Sequence, residues 1–289
     1  MIRYLKHSQI DKEKWDKSLS ACVNKLIYAQ SWYLDIVSLG WHALVDDDFA
    51  QIMPLPHKSK LGLPYLVQPK YTQQLGVFSP TEPDVRLFLK KIPPQYLWRN
   101  IHLNYMNLDI QAPHLRTNII LPFDKEYADI RSSYNENTRR NISKARKNGC
   151  CITSASIEDF INAYALNAKD KPLLSDVQLL ERLIREALNR NLGCLTVATS
   201  TNGDILAGSF FLYSYDRLIY HTSFSSSEGQ KHSASFLVID ETIRRHCKTM
   251  KLLDFEGSML TGIARFFRGF GGIDQNYPTY KGWMFEDMK

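Results

Sequence analysis

The sequence predicts a mixed α/β fold made of two tandem, diverged copies of one domain. Three observations carry this. The chain has 289 residues, which at roughly 150 residues per domain implies two domains. Hydrophobic residues make up 44% and charged residues 23%, a globular balance that excludes a disordered or fibrous chain. The second half reads as helix, strand, two helices, three strands, helix, strand, helix, strand, and the first half is a looser version of the same rhythm.

In the first half, Ile2–Leu5 reads as a short strand, and a polar helix follows from Asp11. A second helix starts after Ser31, with Trp32, Leu34, Ile36 and Val37 as its apolar positions. Trp41–Val45 and Gln51–Leu55 are expected to pair around the acidic turn Asp46–Asp48. Pro54, Pro56 and Pro64 confine the next segment to edges and loops, because proline lacks the N–H that a central strand donates. Glu82–Lys91 reads as helix, stopped by Pro93 and Pro94, and Tyr96–Tyr105 returns to strand. Asn107–Asp124 is short of charge and carries Pro113 and Pro122. The boundary is placed there, giving domains at residues 1–120 and 121–289.

In the second half, Tyr134–Asn148 is a polar, basic helix closed by Gly149, a residue suited to the left-handed position after a helix. Cys150–Thr153 is a strand. Ser156–Ala168 and Ser175–Arg190 are amphipathic helices, the latter with Val177, Leu180, Leu183, Ile184 and Leu188 on one stripe and Ser175 as its expected cap. Cys194–Thr199, Ile205–Tyr215 and Leu218–Phe224 are strands, the first two joined by the Asn202–Gly203 hairpin signal. Ser233–Met250 reads as one long helix, Leu252–Phe255 as a strand, Thr261–Phe270 as a helix and Gln275–Tyr280 as the last strand. This is the order of an acyltransferase-type domain rather than of a doubly wound nucleotide-binding sheet.

Composition removes several function classes. No run reaches the roughly 18 apolar residues of a membrane span. The opening MIRYLKHSQIDKEKW has no apolar signal core. A soluble, cytoplasmic protein is expected. The five cysteines (Cys22, Cys150, Cys151, Cys194, Cys247) are odd in number and form no CxxC pair, which suggests neither a disulfide framework nor a thiolate zinc site. His42, His57, His102, His114, His221 and His246 are scattered without metal-ligand spacing, so no metal is expected. No GxSxG elbow, Walker loop or HExxH motif occurs.

The net charge of +6 is local. Residues 131–149, RSSYNENTRRNISKARKNG, hold six basic residues (Arg131, Arg139, Arg140, Lys144, Arg146, Lys147) against Glu136, whereas the rest of the chain holds 30 basic and 29 acidic residues. Arg140, Lys144 and Lys147 share a helix face, and Arg139 and Arg146 form a second row. Like charges at this spacing repel, and a polyanion would relieve the repulsion. The bland alternative is a solvated helix face.

Two further constellations stand out. In LLDFEGSMLTGIARFFRGFGG, residues 252–272, Asp254 and Glu256 are expected to point the same way from the end of a strand before the turn at Gly257. Carboxylates so placed could bind an amine or accept a proton. Alternatively, Asp254 caps the turn and Glu256 pairs with Arg265 or Arg268. The segment SSEGQKHSASF, residues 226–236, precedes the long helix at the position of a pyrophosphate-binding loop, with Gln230, Lys231 and Ser233 as candidate cofactor contacts. Ser233 and Ser235 stand where such a loop has smaller residues, and an ordinary helix cap at Ser233 is the alternative.

The run Asn137–Ala145, with Lys147 and Gly149, resembles the NTRRNIRKA-type helix of the FemAB/FemX-like proteins. Asp254–Met259, then Gly262–Phe267 and Phe270–Gly271, resembles the DFEGS…GIARFK..FG signature of the same group, and Ala29–Tyr33 is similar to the segment before its first main helix. The resemblance implies two tandem GNAT-like acyltransferase domains. It also implies transfer of an acyl or aminoacyl group to an amine-bearing, anionic acceptor, nucleotide-linked or a peptidoglycan precursor. By analogy Arg139 and Arg140 would contact phosphate, with Thr138, Asn141 and Lys144 assisting, and Phe255, Arg265 and Phe266 would lie near the substrates. Glu256 is the first candidate general base and Asp254 the second. The long helical pair of the tRNA-binding members is absent and the coenzyme-A loop is altered, so the donor stays open between aminoacyl-tRNA and acyl-CoA, with no covalently bound cofactor.

Three function classes therefore remain at this level. One is a FemX-type acyl- or aminoacyltransferase with an anionic small-molecule acceptor and tRNA as one candidate donor. The second is an acyl-CoA-dependent N-acetyltransferase. The third is a non-catalytic polyanion-binding protein on a transferase fold.

Overall fold

The computed structural model describes residues 1–110, 114–169, 171–257 and 259–283. The chain divides into two compact units, Met1–Thr117 with Gln275–Lys289, and Asn118–Asp274.

The first unit opens with β1 (Arg3–Leu5), α1 (Lys12–Ala21) and α2 (Ser31–Val37). Asp11 caps α1 by accepting the Lys14 N–H at 3.0 Å. β2 (His42–Val45) and β3 (Ile52–Leu55) pair antiparallel around the acidic turn, and β1 joins β2. β3 is the edge of this sheet, which tolerates Pro54. β4 (His57–Lys60) and β5 (Leu63–Val67) form a hairpin where the prolines had suggested loops. Pro64 lies outside the Leu66–Val67 stretch that pairs with the next strand, so its missing N–H removes nothing from that ladder. α3 (Val85–Lys90), β6 (Trp98–His102) and β7 (His114–Arg116) follow.

The second unit contains β8 (Ile119–Pro122), α4 (Tyr127–Ser132), α5 (Glu136–Lys147), β9 (Cys151–Thr153), α6 (Ile157–Asn167) and α7 (Leu174–Asn189). It continues with β10 (Gly193–Thr199), β11 (Ile205–Ser214), β12 (Arg217–Ser225), α8 (Ser227–His232), α9 (Ala234–His246), β13 (Leu252–Asp254), α10 (Thr261–Arg268) and β14 (Ile273–Asp274). The seven strands form one sheet in the order β14-β8-β13-β12-β11-β10-β9. Within it, β12 and β13 run parallel. The final strand, β15 (Tyr277–Trp283), belongs to the first unit, where it lies between β6 and β7. Sequence order had put it in the second half. Its partners are set by cross-strand contacts such as Arg99 Nη1 to the Tyr280 hydroxyl at 3.1 Å, which proximity along the chain does not reveal.

Two helix readings need correction. α7 begins at Leu174 with Leu173 at its cap position and no side-chain cap, so Ser175 lies in the first turn. The long helix expected over 233–250 is two helices, because Ser233 adopts left-handed φ 60° and ψ 33° between α8 and α9. The capping serine is Ser226, whose hydroxyl accepts the Gly229 N–H at 3.0 Å. Gly229 packs α8 onto β11: a Cβ there would stand 2.0 Å from the Leu206 carbonyl oxygen. Gly229→Ala should therefore destabilise this unit by about 1–3 kcal/mol, read as a lower urea midpoint. Among the described residues, no helix is long and apolar enough to cross a membrane.

Candidate active site

The aromatic block of α10 builds the site. Phe267 stacks on Phe255 at 4.6 Å, Phe266 meets Phe236 edge to face at 4.7 Å, and Phe270 meets Tyr134 at 5.1 Å. These contacts hold α10 against α9 and against the start of α5. Backbone completes the joint. The Asn135 N–H donates to the Gly269 carbonyl at 2.9 Å, and Asn135 Oδ1 caps α5 by accepting the Thr138 N–H at 2.8 Å. Gly269 is required here, since a Cβ would lie 2.6 Å from the buried Thr138 Oγ1.

Between these elements lies a cavity of about 460 Å³. Asn135, Asn137 and Thr138 line it from the start of α5, Gly262, Arg265 and Phe266 from α10, and Phe236 from α9. The two sequence motifs thus meet at one site. Arg265 is exposed and, among the described residues, has no acidic partner. Arg268 is taken bidentately by Asp274 at 3.0 and 2.9 Å, and Arg217 by Asp254.

The cations of α5 have different work. Arg139 Nη1 donates to the carbonyls of Ser132 and Tyr134 at 3.1 and 2.5 Å. Arg140 donates to Asn137 Oδ1 at 3.2 Å. Arg146 reaches the fully buried Asp240 at 2.8 Å, where the Tyr127 hydroxyl also donates at 2.8 Å. Lys144 and Lys147 are exposed. Asn141 accepts the Ser233 hydroxyl at 2.8 Å, tying α5 to the α8–α9 break. The cation lining the cavity is Arg265, and neither Arg139 nor Arg140 is among its lining residues.

Asp254 and Glu256 do not project side by side. β13 ends at Asp254, and Glu256 and Gly257 turn left-handed at φ 56° and 55°. Asp254 and Arg217 form a buried ion pair at 2.5 Å, and the second Asp254 oxygen accepts the Glu256 N–H at 2.9 Å. Asp254 therefore holds the turn rather than facing a substrate. Glu256 is half-buried just beyond it. Phe255 lies in the core, 1% exposed, and supports the site from behind. Ser258, part of the same motif, lies outside the described residues.

A second cavity, of about 530 Å³, opens where parallel strands part. The β12–β13 ladder runs from Arg217↔Leu252 to Ile219↔Asp254 and stops, while β12 continues to Ser225. Opposite, Phe211 pairs with Tyr220 and Phe210 with Thr222, so His221 is the extra residue of a bulge that bends β12 away. The wedge is lined by Tyr220, Ser223, Phe224 and Ser225, by Phe267 and Ile263, by Asn167 at the end of α6 and by Lys169 just after it. Gln230, Ser233 and Ser235 line it as well. Lys231 instead bonds Glu228 at 3.0 Å on the surface. Burial pushes the Tyr220 phenol up, against the opposing pull of the Ser209 and Ser223 hydroxyls. Tyr220, Ser223, Ser225 and Lys169 were not singled out from sequence; their only signal was the aromatic-rich strand ending in serines. Phe236 and Phe266 line both cavities and form their common wall.

Residues 132–268 match the family model of the acetyltransferase (GNAT) domain. Solved structures share the architecture along the whole chain. FemX superposes with TM-score 0.68 at 13% identity, covering 97% of each chain. L-PGS from Bacillus licheniformis gives 0.54 at 11%, covering 93% of this chain and 90% of that one. A tandem GNAT protein from the clavulanic acid biosynthesis pathway gives 0.53 at 9%, covering 97% and 98%. Among curated protein sequences, none matches. Residues 132–268 thus match the acetyltransferase (GNAT) domain family, and the chain as a whole shares the fold of FemX and of the tandem GNAT protein.

Proposed function

We propose that the protein is an acyl- or aminoacyltransferase whose acceptor is an amine carrying an anionic group, either nucleotide-linked or a cell-wall precursor. The observation that supports this best is the Arg265 guanidinium, without an acidic partner among the described residues, at a cavity edged by the Asn135 and Asn137 amides and Thr138. A guanidinium can hold a phosphate or carboxylate bidentately. The donor's activated carbonyl would enter from the wedge between β12 and β13, at the carboxyl end of a parallel pair, where open sheets present free backbone groups to ligands.

The acceptor nitrogen attacks the acyl carbon and a C–N bond forms. The tetrahedral oxyanion then collapses with cleavage of the C–S or C–O bond to the donor, and the proton lost by the amine ends on the leaving group. Holding the two substrates at one wall supplies the proximity, and preorganised N–H donors supply the charge stabilisation. Glu256 is the proposed base, through water, with Asp254 as its positioning residue. A left-handed non-glycine residue is strained by about 1–2 kcal/mol. Glu256→Gly should therefore leave stability unchanged or raise it by up to about 1 kcal/mol, while transfer falls. A loss of stability instead would assign Glu256 a structural role.

Transfer is tested with amine acceptors in matched pairs, with and without a phosphate, offered together with acyl-CoA and aminoacyl-tRNA donors. Product detected by mass for the phosphorylated members is expected. Equal product from both members would remove the anionic acceptor, and no product from either donor class would remove the transferase reading.

A further inference from the structure

The β4–β5 hairpin of the first unit ends in an apolar tip. Its two-residue turn, Leu61–Gly62, has both φ values positive, at 53° and 79°. Asparagine followed by glycine is the favoured pair for that geometry, and a leucine there is strained by its Cβ. Leu61 is 95% exposed and Leu63 58%, so packing within the chain does not offset the strain. Strain held at an exposed apolar side chain points to a partner that takes the side chain up.

The sheet behind the tip continues the pattern. Lys60 pairs with Leu63 and Lys58 with Tyr65. The Leu66↔Arg99 register sets Tyr65 beside Trp98, which pairs with Trp283. Lys58, Tyr65, Trp98 and Trp283 thus form one row across β4, β5, β6 and β15, on the face opposite buried Leu66 and Ile101. Trp283 is 50% exposed, and Lys58, Lys60 and Lys281 are exposed on the same face. No residue of β4, β5, β6, β7 or β15 is acidic. Glu286 and Asp287, which follow β15, lie outside the described residues.

We infer that this hairpin tip and sheet face seat on an anionic lipid surface. Leu61 and Leu63 enter the boundary between headgroups and acyl chains, the tryptophan and tyrosine rings lie at headgroup level, and the lysines meet lipid phosphates. A nucleic-acid strand fits less well. Trp283 meets Trp98 edge to face at 5.1 Å and Lys281 stands over the Trp98 ring, which leaves no flat aromatic pair for stacking bases, and leucine has no π face.

The test is co-sedimentation of the full chain, without substrates, with vesicles of phosphatidylcholine alone and of equal parts phosphatidylcholine and phosphatidylglycerol. Binding to the anionic vesicles is expected, with a blue shift of tryptophan emission that Trp283→Phe reduces. Leu61→Asn should lower partitioning about tenfold, while the melting temperature stays or rises because asparagine relieves the turn. Lys58→Gln/Lys60→Gln should lower it about tenfold or more on the anionic vesicles, and Glu286→Gln/Asp287→Asn should bind at least as tightly as the parent. Absence of binding to anionic vesicles overturns the inference, as does undiminished partitioning of Leu61→Asn. A dimer in solution that Leu61→Asn dissociates, or tighter binding of a single-stranded oligonucleotide than of the anionic vesicles, gives the face to another partner and overturns it too.

Discussion

Arg265→Ala should raise the KM for an anionic acceptor by roughly 10- to 100-fold, the equivalent of one charge-assisted hydrogen-bonded contact. Arg265 is exposed and has no acidic partner among the described residues, so stability should stay within about 0.5 kcal/mol of the parent. Arg265→Lys restores charge without the planar fork and should recover part of the loss. The contrast with its neighbour is diagnostic. Arg268 is bidentate to Asp274 and its replacement should cost stability rather than acceptor affinity. Steady-state kinetics beside a melting curve for both variants separates the two outcomes.

The largest stability effect is expected at the Arg217–Asp254 pair. Both residues are almost fully buried, and removing one partner leaves an uncompensated charge in the interior, at a cost of about 3–5 kcal/mol. Arg217→Ala and Asp254→Asn should both show this. Asp254→Asn keeps an acceptor for the Glu256 N–H, whereas the double variant Arg217→Met/Asp254→Leu removes both charges but orphans that N–H. The double variant should therefore recover most of the loss and fall short by about 1–3 kcal/mol. Far-UV ellipticity is the suitable probe. The five tryptophans (Trp15, Trp32, Trp41, Trp98, Trp283) all belong to the first unit, so their fluorescence does not report this site directly.

Much of this architecture was legible in the residues. Hydrophobic period placed the helices and strands of the second unit, and the Asn202–Gly203 turn joined β10 to β11. The two motifs at 137–149 and 252–271 indicated a shared site, and the structure brings Thr138, Arg265 and Phe266 to one cavity. What sequence could not carry was the choice among alternatives that only tertiary contacts decide. Five cations in α5 look equivalent on a helical wheel. Arg139 is drawn to two carbonyls and Arg146 to buried Asp240, while the cavity takes its cation from another helix. The left-handed serine at 233 has no local marker, since serine at that position equally reads as a cap. The same holds for Glu256, which an extended chain would have aligned with Asp254. The wedge was hidden for a further reason: it is made by an absence of pairing, where a three-residue strand stops beside a nine-residue one.

Acceptor recognition by this site requires the acceptor's anion to meet Arg265. The direct measurement is a cycle of four kcat/KM values, for Arg265 and Arg265→Ala enzyme, each with an amine acceptor bearing a phosphate and with the same acceptor lacking it. The two removals should not add: the substitution should cost the phosphorylated acceptor roughly 10- to 100-fold and the unphosphorylated one almost nothing. An equal penalty on both acceptors would contradict the account.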